Sequence, residues 1–103
     1  MAWLTLFFAG LFEVAWATGL KLSDGMTKFV PASVTVVAMI ISIGLLSVAM
    51  KTIPLGTAYT VWTGIGALGA LLVGYFFFQE PLSPLRLISA VLIVAGLVGL
   101  KHS

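Results

Sequence analysis

Glu13 is a single acidic residue inside an otherwise apolar stretch, GLFEVAWATG, at positions 10–19. A charged side chain at the centre of a membrane helix costs about 2.5 to 3.5 kcal/mol on insertion scales, and such residues mark proton, ion or substrate sites. Burial favours the neutral acid because the carboxylate loses its hydration, whereas a bound cation favours the carboxylate. We therefore expect Glu13 to exchange protons for a cation. The alternative is a structural glutamate, protonated and hydrogen-bonded between helices.

Other side chains in the apolar runs could surround this carboxylate. Helical spacing places a glycine and a tryptophan on its face of the first run, and the glycine leaves space beside it. In TAYTVWTG a tyrosine and a tryptophan share one face of the third run. Tyrosine and tryptophan can hydrogen-bond a carboxylate, and their rings attract cations. A serine deep in the second run could join them or bond only its own helix backbone. The set is Gly10, Trp16, Ser42, Tyr59 and Trp62.

The composition places these residues in membrane-spanning helices. Of 103 residues, 61% are hydrophobic, five side chains are basic and three are acidic. A span needs about 20 mostly apolar residues, and short polar breaks divide the chain into four such runs. We expect one transmembrane domain over residues 1–103, with helices at about 2–20, 29–50, 57–78 and 85–100.

Several function classes are disfavoured by the same features. The chain has no cysteine, which excludes disulfides and thiolate metal sites, and we expect neither a metal nor a cofactor. A net charge of +2 is too small and scattered to suggest nucleic-acid binding. The first run lacks a basic start, so we interpret it as a mature helix and not as a cleaved signal peptide. Residues 64–69 match G-x-G-x-x-G, but they lie within an apolar run and not between a strand and a helix, which disfavours dinucleotide binding.

The basic residues show almost no bias between the two membrane faces. With four spans, Lys51 and Lys101 share one face, and Lys21, Lys28 and Arg86 share the other. Because basic loops normally stay cytoplasmic, two against three gives little preference for either orientation. The chain could insert both ways and pair about an axis in the membrane plane, as inverted repeats do in larger transporters. Alternatively, the tie is a chance result of small numbers, or a partner protein sets the orientation.

These features together resemble the small multidrug resistance family of proton-coupled exporters. The resemblance covers essentially the whole chain and rests on the four spans, the charge count, Glu13 and IPLGTAYTVWTGIG at 53–66. It implies an all-α integral membrane protein of the bacterial inner membrane, working as an antiparallel, dual-topology homodimer. Two copies of Glu13 would line one shared site that opens alternately to either side. Tyr59 matches the family's gating and binding tyrosine, and Trp62 matches its site tryptophan.

The resemblance also assigns structural roles to small residues in the third and fourth runs. Gly64 and Gly66 match the kink of the family's third helix. Ser89 and Gly96 fall where the family's fourth helix makes its dimer contact. Small residues at helical spacing allow membrane helices to approach closely, which is compatible with both assignments.

Within the family, the sequence resembles the guanidinium-exporter subtype. Trp16 stands where drug exporters usually carry a small residue, while Gly10, Ser42 and Trp62 match the subtype's hydrogen-bond network around the carboxylate; GLK at 99–101 matches its ending. Guanidinium presents a planar fork of N–H donors that a carboxylate accepts bidentately. The expected partners are thus a small guanidinyl cation, protons, lipid and a second copy of the chain.

Three other functions remain open from the sequence. A multidrug exporter of quaternary ammonium ions would share the fold and Glu13. A non-transporting small subunit of a membrane complex would explain the size and the glycines but not Glu13 with its aromatic neighbours. A proton channel would explain Glu13 alone.

Overall fold

Four helices joined by short connections make up the chain, and the computed structural model describes all of residues 1–103. They are α1 (Ala2–Leu22), α2 (Phe29–Ala49), α3 (Leu55–Phe77) and α4 (Pro84–His102). Each is long and apolar enough to cross a membrane. At a rise of 1.5 Å per residue, the 21 residues of α1 extend about 31 Å, close to the thickness of the hydrocarbon core. The predicted four-helix fold is therefore confirmed.

Polar residues determine where the helices end. The buried Ser23 follows α1, and its hydroxyl donates to the Leu20 carbonyl and accepts from the Met26 backbone N–H. Gly25 then takes a φ of +73°, which glycine adopts without steric cost and which turns the chain toward α2. Before α4, the Ser83 hydroxyl accepts from the Arg86 backbone N–H, forming an N-cap.

α1 lies at the centre of the packing. It contacts α2 and α3 extensively, whereas α4 packs chiefly against α3. The buried apolar cluster brings together α1, α2, α3 and the connection before α3, and consists of Leu6, Ala9, Leu46, Ala49, Ile53, Ala58 and Val61. This arrangement places Glu13 and Trp62 on one packed unit of three helices.

Glycines bring α3 close to α1. A Cβ added to Gly66 would overlap the Glu13 carboxylate, and one added to Gly69 would overlap Val14. Without a hydrophobic driving force between helices in lipid, such close backbone approach is a main source of packing energy. α3 is one continuous α-helix through Gly64 and Gly66, so the kink suggested for these glycines stays a prediction.

Most of the molecule's surface is apolar and uncovered within a single chain. Only 15 of the 103 residues are buried, and none of them lies in α4. An apolar exterior of this kind is suited to contact with lipid and with other membrane helices.

Candidate functional site

The Glu13 carboxylate lies between α1 and α3. It points at the α3 backbone, where Gly66 provides the space that any larger residue would fill. Its Oε1 atom is buried and has no hydrogen-bond partner within the chain. Buried polar atoms are nearly always satisfied in native structures, and exceptions often have a functional reason. The atom is thus available to a proton, a cation or a group from another chain.

A hydrogen-bonded bridge next to Glu13 ties α1, α2 and α3 together. Ser42 is completely buried in α2, and its hydroxyl donates to the Ala9 carbonyl of α1 at 2.7 Å. The same oxygen accepts from Trp62 Nε1 of α3 at 2.9 Å. Ser42 therefore bonds to two neighbouring helices and not only to its own helix backbone. Glu13 takes no part in this bridge, although the resemblance placed Ser42 and Trp62 around the carboxylate.

Tyr59 packs against Trp62 of this bridge and lines a cavity between α3 and α4. Its ring packs edge-on against Trp62, with centroids 5.5 Å apart and planes at 90°. The side chain is half exposed and, with Gly64 and Gly96, lines an open cavity of about 600 Å³ between α3 and α4. The hydroxyl makes no hydrogen bond to Glu13 in the single chain. Tyr59 is therefore linked to the Ser42 bridge through its contact with Trp62.

Trp16 carries a second buried polar atom that has no partner in the chain. Its Nε1 can only donate a hydrogen bond, whereas Glu13 Oε1 can accept one. The two residues are three positions apart on α1, yet they do not bond to each other. A complementary donor and acceptor on the same helix are thus both desolvated and both left free by the chain itself.

The structure gives Gly10 a different role from the one expected. The sequence suggested that this glycine leaves space beside the carboxylate. Instead, the Ile65 side chain of α3 covers it, and a Cβ on Gly10 would overlap that side chain. Gly10 thus permits the close contact of α1 and α3 that holds Glu13 in place. A glycine's empty volume is visible in a sequence, but the neighbour that fills it is not.

Of the small residues assigned to the third and fourth runs, Gly66 lies against Glu13, while the other three lie against α4 or on its exposed surface. Gly64 packs against Leu97 of α4 and allows these helices to meet. Ser89 is exposed and its hydroxyl donates to the Leu85 carbonyl of its own helix. Gly96 is exposed, with nothing within 4 Å of an added Cβ. These two α4 positions are accessible to another helix.

Two features of this region were not found from the sequence. One is the Ala9 carbonyl as the acceptor for Ser42, because a backbone group carries no side-chain signal. The other is an ion pair beyond the site, in which Arg86 Nη1 donates to Glu80 Oε1 at 3.1 Å. The opposite charges in QEPLSPLR, six residues apart across a short connection, could have suggested the second.

Comparison with known proteins identifies the family. The sequence profile of the family described as Small Multidrug Resistance protein matches residues 1–93. The chain belongs to the small multidrug resistance family. Two proteins named guanidinium exporter, from Citrobacter freundii and Klebsiella oxytoca, are each 55% identical to it over 103 residues, covering 100% of this chain and 98% of theirs. A third of that name, from Escherichia coli O6:H1, is 52% identical over the same length.

Membership of the small multidrug resistance family agrees with the four apolar helices. The chain is a multi-pass membrane protein, and the family resemblance inferred from Glu13 and residues 53–66 is confirmed. Its relatives are named as exporters, which are transporters and not enzymes.

Proposed function

We propose that this chain exports guanidinium and small guanidinyl cations from the bacterial cytoplasm in exchange for protons. The observation that carries the proposal is the buried, unpartnered Glu13 oxygen, in a chain 55% identical to proteins named guanidinium exporter. A carboxylate held in a fixed orientation can accept two parallel N–H bonds from a planar guanidinium. The inner membrane is the proposed location, because the relatives come from enterobacteria.

The proposed working unit is an antiparallel homodimer with one shared site. Four helices of this length cannot enclose a hydrated cavity with lipid-facing walls, and α4 buries none of its residues within one chain. Two copies in opposite orientations would bring two Glu13 carboxylates to one site, with Trp16, Tyr59 and Trp62 around them. Ser89 and Gly96 on the exposed side of α4 would contribute to the dimer contact. The unpartnered Trp16 N–H would then have carboxylate oxygens of either copy as acceptors.

Exchange follows from competition for the paired carboxylates. Two interacting carboxylates titrate as a pair, and a cation between them displaces their protons. If the site changes its accessible side only when protons or substrate occupy it, proton entry drives cation exit. The Ser42 bridge holds Trp62, which packs against Tyr59 on the cavity wall.

Transport by the purified protein in liposomes tests this function. Currents or proton fluxes are measured with guanidinium, methylguanidinium and a tetraalkylammonium ion under the same gradients. We expect coupled flux with guanidinium and methylguanidinium, whose N–H groups pair with the carboxylate acceptors. A tetraalkylammonium ion has no N–H donors and would leave these acceptors desolvated and unpaired, at a cost of about 1 to 3 kcal/mol each. Flux with tetraalkylammonium alone would instead assign the chain to drug export. Proton leak without substrate would indicate a channel, and no flux at all a non-transporting subunit.

A further inference from the structure

A groove separate from the Glu13 region runs between α3 and α4. It has a volume of about 380 Å³ and its walls are almost entirely apolar. The α3 wall includes Leu68, Leu72 and Phe76, and the α4 wall includes Leu87, Ala90 and Val94. Phe76 and Leu72 are more than half exposed, so the groove opens to the surroundings of the molecule and not to its core.

The groove is as long as one leaflet of a bilayer. From Leu68 to Phe76 the α3 wall spans eight residues, about 12 Å at 1.5 Å per residue, and the α4 wall from Arg86 to Val94 spans the same. The hydrocarbon core is about 30 Å thick, so one leaflet is about 15 Å. A transmembrane helix from another protein would need a groove of twice this length. An extended acyl chain from one leaflet fits it.

A cation lies at the open end of this groove. Arg86 is one of its lining residues and sits in the first turn of α4, where that helix meets the membrane surface. Its guanidinium uses Nη1 for Glu80 and makes no other side-chain hydrogen bond, while the side chain remains 38% exposed. Lys21 and Glu80 both line a small neighbouring cavity of about 140 Å³. Two cations around one carboxylate leave an excess of positive charge for an anionic headgroup.

The proposed dimer contact leaves this groove free. At 3.6 residues per turn, Ser89 and Gly96 lie about 100° to 160° around α4 from Ala90 and Val94. A second copy bound at the serine and glycine would therefore not cover the groove.

We propose that the groove between α3 and α4 binds one acyl chain of an anionic phospholipid, whose phosphate is held by Arg86. The apolar walls bury the chain and the leaflet-long geometry sets its depth. Arg86 donates its free N–H groups to the phosphate, a charge-assisted contact that favours anionic over zwitterionic lipids. Glu80 competes with the phosphate for the same guanidinium.

Native mass spectrometry of the purified protein with defined lipids tests the site. The probes are phosphatidylglycerol and phosphatidylcholine with identical chains. We expect the protein to retain phosphatidylglycerol about fivefold more than phosphatidylcholine. This is the preference that one cation at the membrane surface provides. Ala90→Phe fills the groove and should abolish retention of both lipids. Val91→Phe places the same side chain at a residue outside the groove and should not. If Ala90→Phe does not fold, Leu72→Trp fills the groove from the α3 wall.

Two charge variants test the role assigned to Arg86. Arg86→Gln should reduce the preference for phosphatidylglycerol to near equality while leaving chain binding intact. Glu80→Gln frees the guanidinium and should increase the preference. Equal lipid retention by Ala90→Phe and Val91→Phe would show that the lipid does not bind in the groove. An unchanged preference for phosphatidylglycerol in both charge variants would show that Arg86 does not hold the phosphate. If Ala90→Phe weakens dimer formation and leaves lipid retention unchanged, the groove is a protein interface and the proposal is wrong.

Discussion

The proposed exchange depends on the titratable charge of Glu13. A glutamine at this position removes the charge with little change in size. In Glu13→Gln we expect guanidinium-driven proton movement to be lost, because the amide neither releases a proton nor attracts a cation as a carboxylate does. Proton flux into proteoliposomes under a guanidinium gradient is the measurement. Glu80→Gln removes a carboxylate outside the site and should retain coupled flux. Normal coupling in Glu13→Gln would contradict the proposed mechanism.

Ser42 has a structural role that can be measured without transport. In Ser42→Ala the partly buried Trp62 N–H loses its acceptor, which should destabilise the protein by about 1 to 3 kcal/mol. Ser47→Ala is the matched control, since Ser47 is an exposed serine of the same helix. Unfolding in mixed micelles compares the two variants with the parent. Equal stability of both variants would show that the bridge between the helices contributes nothing.

The polar residues of this region could be identified from the sequence, but their hydrogen-bond partners could be identified less well. Glu13 and Ser42 stand out because polar side chains are rare and costly in apolar runs. The bridge from Ser42 to the Ala9 carbonyl depends on the distance between two helices, which one sequence does not contain. For the same reason Gly10 was expected to leave an open space, whereas Ile65 fills it.

The α1–α3 contact depends on Gly66, which lies against the Glu13 carboxylate. In Gly66→Ala the added methyl group overlaps Glu13, so either the helices separate or the carboxylate turns away. We expect guanidinium transport to fall at least tenfold, because a displacement of about 1 Å at a binding group can have large effects. Transport currents at equal protein amounts in the membrane are the measurement.

Gly44→Ala provides the comparison for this variant. Gly44 lies in α2 with nothing within 4 Å of an added Cβ. Alanine there should leave transport unchanged and raise stability by about 0.5 to 1 kcal/mol, because glycine is the poorer helix former. Equal transport by the two alanine variants would mean that the space at Gly66 is not needed.

The four helices were predictable because hydropathy alone sets the length and number of membrane spans. Their packing order was not, since all four runs are similarly apolar and any pair could be neighbours. The structure places α1 in the centre and α4 at the edge, against α3. Small residues do mark contacts, as Gly66 and Gly69 show, but Gly96 looks the same in sequence and a Cβ added there would meet nothing in the single chain.

The whole chain combines two buried polar atoms without partners, an uncovered helix and nearly balanced charges. Glu13 Oε1 and Trp16 Nε1 are buried without partners, and α4 has no buried residue. Lys51 and Lys101 lie on one membrane face, and three basic residues lie on the opposite face. A second copy in the opposite orientation would account for all three features, whereas a parallel pair would not need balanced charges.

Fixing the orientation of the chain tests this antiparallel pairing. Thr52→Lys with Ser103→Lys adds two charges to one membrane face, and Thr27→Lys with Gln79→Lys adds two to the other; all four positions are exposed. Because basic loops stay cytoplasmic, each double variant should insert in one orientation and lose guanidinium export when expressed alone. Coexpression of the two should restore it. Glutamine at positions 27, 52 and 103, with Gln79 left unchanged, controls for the substitutions themselves and should leave export intact. Accessibility of tagged termini measures orientation, and resistance of cells to guanidinium measures export. Full export by one double variant in a single confirmed orientation would argue for a parallel pair or a monomer.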